Sequence, residues 1–167
     1  QAAILIDGAF PLAEQLKQDT LSLRLQLASL RIQDTKGYSQ TAIELQQQLI
    51  KRALEMEEKG YAASILQVVG DSQLNSKDVR SALEQFQRAY RLYEEVDNLE
   101  GVSDSLNSMA GLYSQLNDFP TAIQYSKEAL QIRQNMQDDF NSSIILFNLG
   151  DIYTLAKQYE AAIDSYN

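Results

Sequence analysis

The 167-residue sequence contains no cysteine, no histidine and no tryptophan, and it has only two prolines. The absence of cysteine excludes disulfide bonds, thiol catalysis and cysteine metal sites, although it leaves the cellular compartment open between cytoplasm and periplasm. Without histidine, the chain also lacks the usual general base near neutral pH and the commonest transition-metal ligand. We therefore expect a protein that is not an enzyme, with no catalytic residue, no metal site and no cofactor.

Basic residues are also scarce, because 14 Lys and Arg face 23 Asp and Glu and give a formal net charge of −9. Nucleic acids and anionic membranes select basic surfaces, so this balance argues against both as partners. No apolar run approaches the roughly 20 residues that a helix needs to span a bilayer. We expect neither nucleic-acid binding nor membrane insertion.

One pattern is present three times between residues 64 and 167, at a spacing of 40 residues. The positions that agree hold small or branched apolar residues: Gly70, Ala110 and Gly150; Ala82, Ala122 and Ala162; Leu83, Ile123 and Ile163. A period of this length indicates a solenoid, in which each unit buries its apolar face against its neighbours. The repeat therefore predicts a chain of similar structural units.

Each unit has the features of two helices joined by a short break. Apolar residues recur at intervals of three and four, the spacing of one helical face, and small residues let a second helix approach closely. Asp78 and Asp118 stand where an N-cap is needed, and Pro120 lies in the first turn, where a missing N–H costs little. The pattern predicts antiparallel helix pairs.

The stretches MAGLYSQLNDFPTAIQYSKEAL (109–130) and FNLGDIYTLAKQYEAAIDSY (147–166) resemble the tetratricopeptide repeat (TPR) family, in its variant with a 40-residue period. The variant is similar to units of bacterial peptide-sensing regulators, kinesin light chains and polarity scaffolds. The resemblance implies an all-α fold, an α-α superhelix or solenoid of about three to four units, and a function in protein–protein interaction. Gln73 and Ser126 depart from the pattern, which leaves the packing at these two positions open.

The period divides the chain into one solenoid domain. We predict an N-terminal helical segment at 1–20, a degenerate unit at 21–59, units at 60–100 and 101–140, and a truncated unit at 141–167. The dense leucines of 21–33 alternate partly as in a strand, but a strand would leave the adjacent helices unpaired, so we interpret them as helical. Because Asn167 falls inside a second helix, we expect the natural protein to be longer.

Charge differs between the two kinds of helix. The first-helix segments 62–75, 104–117 and 142–156 contain no Lys or Arg, whereas the second helices contain Arg80, Arg88, Arg91, Lys127 and Arg133. In the family the first helices line the concave wall, so the resemblance implies a neutral-to-acidic groove and a positively charged outer wall. Such a groove cannot clamp the acidic C-terminus of a chaperone, which requires cations on these helices.

The resemblance also implies which residues face the groove. Asn148 stands where related proteins hydrogen-bond the backbone of an extended ligand, and Phe147 would be an apolar anchor. The complete set of groove candidates is Ser64, Gln67, Asp71, Asp104, Asn107, Gly111, Ile144, Phe147, Asn148 and Asp151. We expect them to bind a protein or peptide segment that is extended and neutral to basic. The module would be the sensory or regulatory region of a larger bacterial signalling protein, such as a histidine kinase or diguanylate cyclase.

Two alternatives stay open at this point. The groove residues could simply contact solvent on a scaffold whose exposed end helices pair two chains into a symmetric dimer. Asp138 and Asp139 form an adjacent acidic pair, but acidic residues in a connection between helices are usually solvated, and we favour that interpretation over general acid–base catalysis.

Overall fold

The computed structural model describes residues 40–167, and this part of the chain is entirely helical, without a strand, as the repeat predicted. The predictions for residues 1–39, which include the segment 1–20 and most of the degenerate unit, lie outside the described residues. Seven helices follow one another in residues 40–167: α1 (Gln40–Glu55), α2 (Lys59–Asn75), α3 (Val79–Glu95), α4 (Leu99–Gln115), α5 (Phe119–Asn135), α6 (Asp139–Leu155) and α7 (Tyr159–Tyr166). Within this described range, none is long and apolar enough to cross a bilayer.

Every complete helix from α2 to α6 has 17 residues, and three residues connect it to the next. The middle residue of each connection is left-handed, with φ of 63° at Lys77 and 61° at Asn117. This conformation ends the helix, because it directs the N–H of the following residue toward a carbonyl of the last helical turn. The amide of Asp78, for example, donates to the carbonyl of Gln73 at 2.9 Å. None of these residues is glycine, although left-handed backbone costs other residues about 1–2 kcal/mol.

The third connecting residue begins the next helix. Asp78 and Asp118 accept hydrogen bonds from the backbone amides of Ser81 and Thr121, which confirms the two predicted N-caps. The sequence interpretation missed two more: the side chains of Asn98 and Asp138 cap α4 and α6 in the same way. Each cap satisfies a backbone N–H that has no partner within the helix.

Consecutive helices pack side by side, and the first helices α2, α4 and α6 also contact one another in that order. The repeated alanines Ala82, Ala122 and Ala162 are buried. Beside these alanines, a small residue on one helix is matched by a large ring on the next. A Cβ at Gly70 would overlap the ring of Phe86, and one at Gly150 would overlap Tyr166. The equivalent positions of the middle unit are held by Ala110 and the smaller Ser126.

The two departures from the family pattern remain visible in the packing. The Oε1 of Gln73 and the Oγ of Ser126 are buried and have no hydrogen-bond partner within residues 40–167. A buried polar atom without a partner costs about 1–3 kcal/mol. The repeat architecture therefore tolerates these substitutions at a cost in stability.

A junction forms where each second helix ends against the start of the next first helix. In the first, which we call the Tyr93 junction, the ring of Tyr93 lies so close to Gly101 that a Cβ there would overlap it. The hydroxyl groups of Tyr93 and Ser64 are 3.1 Å apart. Tyr93 is 7% exposed, so this junction is closed mainly by an aromatic ring.

The next junction, the Arg133 junction, is closed by the guanidinium of Arg133, whose side chain is only 5% exposed. Its Nη1 donates to Asp138 at 2.8 Å, and its Nη2 donates to Asp104 at 2.5 Å and to the carbonyl of Glu100 at 3.2 Å. Its Nε donates to the hydroxyl of Ser103 at 3.3 Å. Arg133 thus joins α4, α5 and the beginning of α6.

Two expectations about charge are wrong here. Arg133 does not contribute to a positively charged outer wall, because carboxylates hold its guanidinium inside the Arg133 junction. Asp138 is not a merely solvated residue of a connection, because it caps α6 and binds Arg133. The side-chain hydrogen bond from Asn141 lowers the pKa of Asp138 below its ordinary value of 3.8, and Arg133 lowers it further.

Candidate functional site

A cavity of about 260 Å³ lies between the first helices α4 and α6, and we call it the inner cavity. Four of the predicted groove residues line it together: Asn107, Gly111, Asn148 and Asp151. Three further lining residues were missed by sequence reasoning, namely Ser114, Ile152 and Leu155. Each is three or four residues beyond a predicted one on the same helix, so helical spacing could have found them.

Two side-chain amides connect the walls of the inner cavity. The Nδ2 of Asn148 donates to the Oδ1 of Asn107 across 3.3 Å. Within residues 40–167, the Nδ2 of Asn107 and the Oδ1 of Asn148 make no hydrogen bond, and both residues are partly exposed. The pair therefore retains donors and an acceptor for a further partner.

A similar contact lies one repeat earlier. Gln67 on α2 donates to Ser108 on α4 at 2.8 Å, and its Oε1 accepts from Ser105 at 3.2 Å. Its carbonyl and amino groups are thus both engaged between the two helices. Gln67 supports the stacking of first helices and does not reach the inner cavity.

One carboxylate gives the inner cavity its charge. Asp151 is exposed and accepts a hydrogen bond of 2.7 Å from the hydroxyl of Tyr166. Helices α4 and α6 contain no Lys or Arg, so no cation on either wall neutralises Asp151. Asp71, two repeat lengths earlier on α2, is also exposed but lies outside the inner cavity.

The remaining groove candidates lie elsewhere. Ser64 donates to the carbonyl of Gly60 at 3.0 Å within its own helix, and Asp104 is bound by Arg133. These two side chains belong to the junctions. The structure therefore does not bring them to the inner cavity with the other candidates.

Ile144 and Phe147 are exposed on α6, with 43% and 59% of their surface accessible. The ring of Phe147 packs at 5.7 Å from that of Tyr166 on α7. Position 147 is equivalent to Asn107 and Gln67, which contact the following first helix. Phe147 does not line the inner cavity between α4 and α6. Its role as an apolar anchor stays a prediction.

Carboxylates are dispersed over this part of the chain. Among residues 40–167, no group of three acidic side chains comes together in an arrangement that could hold a metal ion.

Comparisons with known proteins agree with the helical repeat. A family model described as "Tetratricopeptide repeat" matches residues 61–135 and, one unit further, residues 101–167. A comparison with curated protein sequences finds no match.

Among solved structures, the chain is similar to the crystal structure of BtubC (BKLC) from P. vanneervenii, with a TM-score of 0.67. The sequences are 17% identical, and the similarity covers 96% of this chain and 75% of the other. At this identity the likeness concerns the fold alone. TPR folds are typically non-enzymatic and generally mediate protein–protein interaction. The two family matches together span most of the sequence, and the chain belongs to the tetratricopeptide repeat family.

Proposed function

We propose that this chain is a non-enzymatic protein-interaction module that holds an extended, neutral-to-basic peptide segment in the inner cavity. The observation that supports this function best is the pairing of Asn107 and Asn148 beside Asp151, on helices without a cation. An extended peptide exposes backbone N–H and C=O groups, which side-chain amides can pair in both directions. Asp151 favours a lysine or arginine on the peptide.

The size of the inner cavity limits what enters it. Its volume of about 260 Å³ is below that of typical pockets for drug-sized ligands, which is about 300–1,000 Å³. One or two peptide side chains fit, and the remainder of the segment would run along the first helices. Leu155, which is 60% exposed at the cavity, offers an apolar contact beside the polar groups.

A peptide-library screen with the complete chain tests the proposal. Asn148→Ala combined with Asp151→Lys should weaken the selected peptides roughly tenfold or more, because a backbone hydrogen bond is lost and the charge is reversed. Gln134→Ala combined with Asp164→Lys also removes one side-chain amide and reverses one aspartate charge, but at exposed positions of second helices, and it should leave affinity unchanged. If the original chain and the cavity variant bind the peptides with equal affinity, the inner cavity is not the peptide-binding site.

The wider context of the module rests on its resemblance to bacterial peptide-sensing regulators. In that context it would be the sensory or regulatory region of a larger signalling protein, such as a histidine kinase or diguanylate cyclase. Adding a selected peptide to the natural full-length protein should then change its activity. The Asn148→Ala, Asp151→Lys variant should reduce that response. An equal response in the variant and the original protein would contradict the regulatory role.

Assembly is a second candidate function, favoured by an exposed apolar surface on α6 and α7. Phe140, Phe147 and Ile163 are 76%, 59% and 60% exposed. Two copies that pair these surfaces would form a symmetric dimer. Sedimentation at several concentrations should show a dimer that Phe140→Asp disrupts and that Leu116→Asp, at an exposed apolar position just after α4, preserves. A constant monomer mass would exclude this alternative.

A further inference from the structure

The second helices α3 and α5 do not pack on each other, and a groove runs between them with α4 as its floor. Two adjoining cavities of about 510 and 380 Å³ form this groove, and both include Tyr90, Leu106 and Glu128. We call it the outer groove. It lies on the other side of α4 from the inner cavity, because Val102 and Leu106 face it whereas Asn107 and Gly111 face the inner cavity.

The floor and one end of the outer groove are apolar. Val102 and Leu106 are almost fully buried at the bottom, and Leu99 at the start of α4 is 53% exposed. Tyr90 and Ile132 form partly buried walls. An apolar side chain from another protein would therefore find contacts on three sides here.

The rim of the outer groove is acidic. Glu94, Asp97 and Glu128 are exposed, and within residues 40–167 none of them forms a salt bridge. Glu128 accepts a hydrogen bond of 2.9 Å from Gln124, which occupies only one of its oxygens. Arg91 lines the far part of the groove, in the smaller cavity.

Tyr90 is hydrogen-bonded to one carboxylate of the rim. Its hydroxyl donates to Glu94 at 2.6 Å, and this hydrogen bond, together with burial, raises the pKa of Tyr90 to about 12. The phenol therefore remains protonated, and it satisfies one oxygen of Glu94. The second oxygen of Glu94 stays available for an incoming cation.

The groove one repeat earlier, between α1 and α3, is lined by one cation and by no carboxylate. Its cavity is only about 140 Å³, and Arg88 stands there at the position equivalent to Glu128. Gln85 stands in place of Tyr125, which lines the outer groove. The size and acidity of the outer groove are thus features of these particular residues and do not follow from the repeat geometry.

We propose that the outer groove is a second binding site, which takes a protein segment that presents an apolar side chain flanked by lysine or arginine. The apolar side chain packs over Leu99 and Leu106, and the neighbouring cation lies between Glu94 and Glu128. Complementary charge steers the segment to this groove and away from the equivalent basic one. The site is independent of the inner cavity, so either can fail without the other.

The test is an NMR titration of the complete chain with the blocked peptide Lys-Leu-Lys-Phe-Lys-Leu-Lys. Amide shifts should concentrate at the residues that line the outer groove. Glu94→Gln combined with Glu128→Gln should weaken binding roughly two- to thirty-fold, because two exposed charge pairs are lost. Glu128→Arg, which copies the basic groove, should weaken it further. A peptide with serine in place of leucine and phenylalanine should not bind.

A matched control separates the site from general attraction to an acidic protein. Glu84→Gln combined with Asp164→Asn removes the same charge at exposed positions outside the groove and should leave the affinity unchanged. Three outcomes would overturn the proposal. The control variant could lose as much affinity as the groove variant, the amide shifts could map to the inner cavity or to the basic groove, or no amide could shift at millimolar peptide. Asp151→Lys should not alter the shifts at the outer groove.

Discussion

The Tyr93 junction and the Arg133 junction occupy equivalent places in successive units but are closed by different chemistry. Three positions change together: Tyr93, Gly101 and Ser64 in one junction correspond to Arg133, Asn141 and Asp104 in the next. The first is an aromatic ring against bare backbone, and the hydroxyl of that ring meets the hydroxyl of Ser64. The second is a buried guanidinium with four hydrogen bonds to its surroundings.

The difference shows that the repeat fixes a geometry and leaves the chemistry free. A ring that lies against a helix requires that no Cβ intervene, so glycine accompanies Tyr93. A buried guanidinium requires anionic partners, so an aspartate replaces the serine that meets Tyr93. Each junction is a matched set, and replacing a single member should cost stability in a way that depends on the set.

The largest effect is expected at the Tyr93 junction. Tyr93→Ala removes a nearly buried ring and leaves a cavity between α3 and α4, which should lower the free energy of unfolding by about 3–5 kcal/mol. Urea unfolding followed by circular dichroism measures it. Tyr93→Phe keeps the ring and removes the hydroxyl that contacts Ser64, which should cost about 1 kcal/mol. A loss below that value for Tyr93→Ala would show that the ring is not what closes the junction.

A somewhat smaller effect is expected at the Arg133 junction. Arg133→Met keeps an unbranched side chain of similar length but leaves Asp138 and Asp104 without their cation, so it should cost about 2–4 kcal/mol. The same unfolding measurement applies. Arg91→Met alters an exposed arginine of α3 and should stay within about 0.5 kcal/mol. Similar values for the two variants would contradict the role given to the buried network.

The repeated positions could be predicted from the sequence because their residues stay the same in every unit. Ala82 and its equivalents are small wherever helices cross, so their burial follows from the pattern alone. Arg133 could not be placed in this way. Its position is held by tyrosine one unit earlier, and the period identifies the helix but does not say which neighbour receives the side chain.

The inner cavity could be predicted from the sequence only in part. Asn107, Gly111, Asn148 and Asp151 come together because family geometry aligns the first helices. Phe147 has the same place in its unit as Asn107 but stands one unit later, so it lies outside the cavity between α4 and α6. The outer groove was missed because its residues come from three helices and no motif connects them.

A third prediction concerns the glycine of the Tyr93 junction. Gly101→Ala forces a Cβ into the ring of Tyr93 and should cost about 1–3 kcal/mol. Gly111→Ala is the matched control, since no atom lies within 4 Å of a Cβ there, and it should stabilise α4 by about 0.5–1 kcal/mol. In a Tyr93→Ala background the cost of Gly101→Ala should disappear. A cost that persists would mean that the ring and the glycine are not coupled.

The smallest effect is a pH dependence confined to the Arg133 junction. The folded state lowers the pKa of Asp138 from 3.8, so its stabilising contribution is complete above that pH and is lost as pH falls through the lower folded value. Asp138→Asn still offers an oxygen to cap α6 but cannot titrate. Its unfolding free energy should therefore fall less steeply than that of the original chain between about pH 5 and pH 2. All other carboxylates are common to both proteins and cancel in the difference. If the two proteins lost unfolding free energy equally with falling pH, folding would not lower the pKa of Asp138. The hydrogen bonds that Asp138 accepts from Asn141 and Arg133 argue against that result.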